Sequence, residues 1–62
     1  MPARAEIGSI ATTLEELTAR IGGLAEAAEA ADEEMAVELY GIERSLAGAL
    51  RRLRKLSDPG RG

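Results

Sequence analysis

Apolar residues recur at alternating steps of three and four in the first half of this chain, and this repeat limits the fold more than any other feature. Its members are Ile7, Ile10, Leu14, Leu17, Ile21, Leu24, Ala28, Ala31 and Met35. A mean step of about 3.5 residues places them along one stripe of an α-helix. The repeat therefore predicts an all-α chain that buries this stripe against other helices.

The phase of the repeat changes once, near the middle of the chain. After Met35 the stripe continues as Leu39, Ile42, Leu46, Ala49, Leu53 and Leu56, so that two steps of four meet at Met35. Two antiparallel helices need not share one phase, and Asp32 offers an N-cap at the same place. We predict one domain with a helix over about 3–29, a turn over about 30–32, a helix over about 33–56 and a disordered tail over 57–62.

Two other interpretations of the repeat stay open. Ala30, Ala31 and Asp32 include no Gly, Pro or Asn, which favours a single long helix that dimerises as a parallel coiled coil. In the second interpretation, Gly22 and Gly23 end a helix and divide the chain into three short ones. In the two-helix interpretation, with Ile7 at heptad position a, Gly8, Gly22 and Gly23 fall at b, b and c and are expected to face away from the core.

The residues that flank the stripe favour a bundle over a two-stranded coiled coil. Positions e and g of the first half are mostly small and uncharged, where Glu and Lys are usual. They are Ala11, Thr18 and Ala25 at e, and Thr13, Arg20 and Ala27 at g. A chain of 62 residues without cysteine or histidine lacks disulfides and the commonest zinc ligands, so oligomerisation is the remaining way to enlarge its core.

We therefore expect the antiparallel hairpin to homodimerise as a four-helix bundle. The predicted oligomer interface contains the large members of the stripe. These are Ile7, Ile10, Leu14, Leu17, Ile21, Leu24, Met35, Leu39, Ile42, Leu46, Leu53 and Leu56.

The side-chain inventory argues against an enzyme. With no histidine, no cysteine and one tyrosine, the usual nucleophile and base pairs cannot be assembled. Glu26, Glu29 and Glu33 have helical spacing, but bundle di-metal sites normally add a Glu-x-x-His element, so we interpret these residues as a solvated face. We predict no catalytic, cofactor or metal site and no small-molecule substrate. The sequence has no membrane-length apolar run and no secretory signal, so we expect a cytoplasmic protein with no membrane partner.

Charge is separated along the chain. Six acids lie between Glu26 and Glu38 with no base among them, and five bases lie between Arg44 and Lys55 with no acid. This order suits the dipole of the second helix. The basic residues and the only aromatic residue are also the best candidates for contact with another molecule. The predicted partner-binding residues are Tyr40, Arg44, Arg51, Arg52, Arg54 and Lys55.

The predicted function is that of a small adaptor or regulator that homodimerises and binds another protein through a helical face. One alternative is a nucleic-acid-binding regulator that uses the edge Arg51–Lys55, although the acidic pI of about 4.8 and the lack of stacking aromatics count against it. Another alternative is one half of an obligate helical heteromer, such as a co-chaperone.

In size and layout the predicted hairpin resembles the small plasmid-encoded RNA-binding hairpins that dimerise into a four-helix bundle. It is similar in the same way to the short helical-hairpin co-chaperones of bacterial secretion systems. No motif carries either resemblance, so no functional residue is transferred. The bias toward Ala, Gly, Arg and Glu suggests a G+C-rich bacterial genome.

Overall fold

Two antiparallel α-helices joined by a short turn make up the fold, in a computed structural model that describes residues 2–57. Helix α1 spans Pro2–Ala28 and helix α2 spans Glu33–Ser57. The all-α hairpin prediction is confirmed. The chain is neither one long helix nor three short ones, because it reverses after Ala28 and α1 continues through Gly22 and Gly23. Apart from Ser57, which ends α2, the predicted tail lies outside the described residues.

The turn is closed by backbone hydrogen bonds and by one side-chain cap. The N–H groups of Ala31 and Asp32 donate to the carbonyl oxygen of Ala28, at 3.1 and 2.7 Å. Asp32 Oδ1 accepts from the N–H of Met35 at 3.1 Å, so it caps α2 as its sequence position predicts. No residue of the described range has a positive φ. The reversal therefore needs no glycine, which is why its sequence looks helical.

Small side chains fill the contact between the helices. Heptad position e of α1 faces α2, and it is occupied by Ala11, Thr18 and Ala25, which are buried. With Met35 taken as d, position e of α2 begins at Ala36, which is also buried. Thr18 donates its hydroxyl to the carbonyl oxygen of Leu14 at 2.7 Å, so burial leaves this hydroxyl hydrogen-bonded. Small residues let the two helix backbones approach closely.

Two of the three glycines of α1 also face α2. A Cβ atom on Gly8 would lie 3.9 Å from Ser57 Cβ, and one on Gly22 would lie 2.6 Å from Glu43 Oε2. The prediction that Gly8 and Gly22 face away from the core was wrong, because the contact with α2 is centred on e and extends to the neighbouring b position. Gly23, at position c, has no such neighbour within 4 Å.

The hairpin is only one helix thick. Its principal extents are 46 × 17 × 12 Å, and the smallest is close to the diameter of one helix, about 10–12 Å. A layer this thin cannot enclose large side chains, and no large side chain of residues 3–57 is fully buried. The large apolar residues must therefore lie on the surface of the hairpin.

The two adjacent glycines offer a test of the helix contact. Gly23→Ala is expected to raise the free energy of unfolding by about 1 kcal/mol, because alanine is the better helix former and the space is open. Gly22→Ala is expected to raise the free energy of unfolding by less, because its new methyl group displaces the Glu43 carboxylate. Urea unfolding at one fixed protein concentration measures both changes. Equal gains for the two variants would show that Glu43 does not cover Gly22.

Candidate protein interaction surface

Most of the large apolar side chains lie on one side of the hairpin, which we call the front face. Its most exposed members occupy heptad position d of both helices. They are Ile10, Leu17, Leu24, Met35, Ile42 and Leu56. Half-buried residues at position a lie beside them. They are Ile7, Leu14, Ile21, Leu39, Leu46 and Leu53. These two sets are the residues predicted for the oligomer interface, and the structure assigns them to one face.

Each exposed residue at d directly precedes a residue that points at the other helix. Leu24 is 60% exposed while Ala25 is 0% exposed. The pairs Ile10–Ala11, Leu17–Thr18 and Met35–Ala36 alternate in the same way. Consecutive residues of a helix point about 100° apart, so d points at nearly a right angle to the plane that contains α1 and α2. Each helix thus faces one neighbour within the hairpin and presents a second apolar direction at a right angle to it.

Shallow grooves run along the front face and join one another. The groove at mid-length takes side chains from both helices and is lined by Leu14, Leu17, Arg20, Ile21, Leu24 and Leu46. Toward the turn it adjoins a groove lined by Leu24, Ala27, Ala28, Ala31, Asp32, Met35 and Leu39. Toward the open end it adjoins a groove lined by Ser9, Ile10, Thr13, Leu14 and Leu17. Shared leucines make this one continuous surface.

The chain exposes more surface than a compact protein of its mass. By the scaling of surface with mass, a folded monomer of 6.5 kDa exposes about 3,800 Å², whereas this chain exposes 4779 Å². The excess is about 950 Å², and it is spread over the whole outline of a hairpin that is one helix thick. A fold of this shape leaves much of its apolar surface in contact with water.

Polar contacts between the helices lie away from the front face. The Tyr40 hydroxyl donates to Glu29 Oε2, and Arg54 donates to Glu15 Oε1 at 2.6 Å. At the open end, Arg4 donates to the carbonyl oxygen of Leu56 at 2.8 Å. Exposed ion pairs such as Arg54–Glu15 contribute about 1 kcal/mol or less. These contacts fix the alignment of the helices more than they stabilise the fold.

The structure divides the residues predicted for partner binding. Tyr40 is half-buried and bonded to Glu29, and Arg54 is paired with Glu15. Arg52 shares position g with Glu38, beside the front face. The outer side of α2 carries Arg44 and Arg51 at position f and Lys55 at position c, and all three are exposed. The six residues therefore do not form one contact surface.

Val37 belongs to the outer side of α2 and was not identified from the sequence. It is 64% exposed and lines a shallow groove that reaches from the outer side to the edge of the front face. The other lining residues are Glu38, Tyr40, Gly41, Ile42, Arg44, Ser45 and Leu46. Residues 37, 40, 41, 44 and 51 are spaced so that they lie along one side of a helix. This helical spacing could have identified the surface from the sequence. Val37 was missed because it is not part of the apolar heptad stripe.

Tyr40 is held in its neutral form. The hydrogen bond to the Glu29 carboxylate raises the pKa of Tyr40 to about 12, with smaller contributions from desolvation and from the charges of Glu29, Glu26 and Glu43. A phenol that donates to a carboxylate loses this bond when it ionises. Tyr40 therefore serves as a hydrogen-bond donor over the whole neutral range of pH.

Within residues 2–57, no three acidic side chains are arranged to hold a metal ion. Neither α1 nor α2 is long and apolar enough to cross a membrane. Comparison with protein-family models, with curated proteins and with solved structures gave no match.

Tyr40 is the only tyrosine, so its titration can be read directly from tyrosinate absorbance. We expect a midpoint near the pKa of about 12 and a lower one in Glu29→Gln, whereas Glu33→Gln should leave it unchanged. Because the pKa in the folded state lies above the ordinary tyrosine value of 10.0, the contribution of Tyr40 to stability is present below pH 10 and is lost as the pH rises through about 12. Circular dichroism would verify that the helices persist, and a wild-type midpoint at the ordinary value would rule out the bond to Glu29.

Proposed function

We propose that this chain is a small non-enzymatic interaction module that homodimerises through its front face and contacts another protein through the outer side of α2. The observation that carries the proposal is the exposure of large apolar residues at position d along both helices. Soluble monomers rarely expose contiguous apolar patches larger than a few hundred Å². A face of this extent is therefore expected to be covered by protein.

A second copy of the chain fits this face. Both helices repeat the same order. Residues at heptad position a are half-buried, residues at position d are exposed, and residues at position e are directed at the other helix. In a four-helix bundle each helix has two neighbours at about a right angle, with a and d directed at the centre. Two hairpins placed front to front supply that geometry.

Dimerisation leaves the outer side of α2 available to a different partner. Val37, Tyr40, Arg44 and Arg51 lie there, and they combine an apolar side chain, an aromatic ring and two cations. Aromatic and arginine side chains are frequent in binding hot spots. We assign this surface to a protein that carries acidic residues around an apolar contact. The pairing of Arg54 with Glu15 favours protein over nucleic acid as the partner, because it withdraws one cation from the basic edge.

The proposal is tested by placing the same charge on two sides of α1. Leu17→Glu puts a carboxylate on the front face, and Ala19→Glu puts one at exposed position f, directed away from it. The loss of one buried leucine costs about 2 kcal/mol per copy, so Leu17→Glu should raise the dimer Kd roughly a thousandfold. Ala19→Glu should retain the mass and helicity of the parent. Light scattering measures mass, and circular dichroism measures helicity, on one dilution series.

A dimeric parent with a monomeric or unfolded Leu17→Glu variant and a dimeric Ala19→Glu variant would support the proposal. A parent that keeps the mass of one chain at every concentration would refute homodimerisation. Equal weakening by the two substitutions would show that the front face is not the interface.

A further inference from the structure

We propose that the two copies pack in opposite directions, so that the turn of each hairpin lies over the open end of the other. In this arrangement α1 packs against α1 of the second copy, and α2 against α2. The inference rests on the proposed homodimer and specifies how its partner is seated.

Two hairpins can meet front to front in two ways. With both turns at the same end, α1 lies against α2 of the second copy. With the turns at opposite ends, like helices pair. Cross-helix neighbours such as Gly8 with Ser57 and Gly22 with Glu43 define residues at equal height along the hairpin. Because these neighbours fix the height of each residue, the two directions bring different residues at position d into contact.

Apolar packing does not choose between these arrangements. With the turns at the same end, Ile10 meets Leu56 of the second copy, and Leu24 meets Ile42. With the turns at opposite ends, Ile10 meets Leu24, and Leu17 lies on the two-fold axis opposite its own counterpart. Both arrangements place large apolar residues in register. The direction must therefore be set by another property of the two ends.

Charge differs strongly between the two ends of the hairpin. The turn end carries only acids, namely Glu26, Glu29, Asp32, Glu33, Glu34 and Glu38. Within residues 2–57, the open end carries the bases Arg4, Arg51, Arg52, Arg54 and Lys55 and two acids, Glu6 and the Glu15 that pairs with Arg54. Five bases and two acids give this end a net charge of +3, against −6 at the turn end. Each hairpin is an electric dipole directed along its length.

Opposite directions bring these ends together with complementary sign. Packed helices are about 8–10 Å apart, which is comparable to the Debye length of about 10 Å at moderate ionic strength. Charges beside the front face therefore act across the interface, whereas those on the polar side, such as Glu29 and Arg54, are screened more strongly. Glu38 at the turn end and Arg52 at the open end both occupy position g, beside the front face. Each end of the hairpin therefore has a charged residue at the edge of the front face. With the turns at the same end, six acids would face six acids and the basic ends would face each other.

Engineered disulfides distinguish the two directions, because the chain has no cysteine of its own. A chain carrying Ile10→Cys is mixed in a glutathione redox buffer with one carrying Leu24→Cys or, separately, with one carrying Leu56→Cys. One chain of each mixture is labelled with heavy nitrogen, so that mass spectrometry identifies the mixed disulfide. A disulfide needs Cα atoms about 4.4–6.8 Å apart, which only facing positions provide. Ala19→Cys, on the outward side, replaces Ile10→Cys as the control.

We expect the mixture of Ile10→Cys with Leu24→Cys to cross-link at least about tenfold more than the mixture with Leu56→Cys, since a tenfold ratio needs a preference of only about 1.4 kcal/mol. A dominant disulfide between positions 10 and 56 would overturn the direction and leave the dimer standing. A dimer by light scattering that forms neither disulfide would also overturn it. A chain that stays monomeric would refute the proposed dimer itself, and the inferred direction with it.

Discussion

The close contact of α1 with α2 through small side chains is the constraint on which the rest of the structure depends. Ala11, Thr18, Ala25 and Ala36 are buried in the space between the helices, whereas Leu50, at position e of α2, is only half-buried. Burial of alanine removes little apolar surface from water. A hairpin built this way has a thin interior. Its large apolar residues are turned to the front face, where only a second molecule can remove them from water.

The same contact separates the front face from the polar side of the hairpin. Apolar residues at a and d lie on one side, while Tyr40–Glu29 and Arg54–Glu15 join the helices away from it. A single pair of helices thus carries two surfaces of different chemistry. This division is why we assign self-association to one surface and a partner protein to the other.

Much of the fold follows from the sequence because a heptad repeat and an N-cap are local signals. The two phases of the repeat predicted two helices, and Asp32 predicted the start of the second one.

The errors concern the direction of side chains around the helix axis. The repeat shows which residues form a stripe, but it does not show which flank of that stripe meets the neighbouring helix. Gly8 and Gly22 were misplaced for this reason, and Leu50, half-buried at position e of α2, was not singled out. The contacts of Tyr40 and Arg54 join residues distant in sequence, and periodicity carries no information about such pairs.

The turn between the helices has a consequence for how this chain tolerates change. All of its residues lie in the ordinary range of φ, so most side chains fit there without backbone strain, provided that Asp32 keeps its capping role. Its length is a stricter requirement than its composition. One residue inserted or deleted between Ala28 and Glu33 must be absorbed by unwinding a helix end or by rotating α2 by about 100°. Such a rotation would carry Met35, Ile42 and Leu56 off the front face. Substitutions should therefore accumulate in this turn more readily than changes of length.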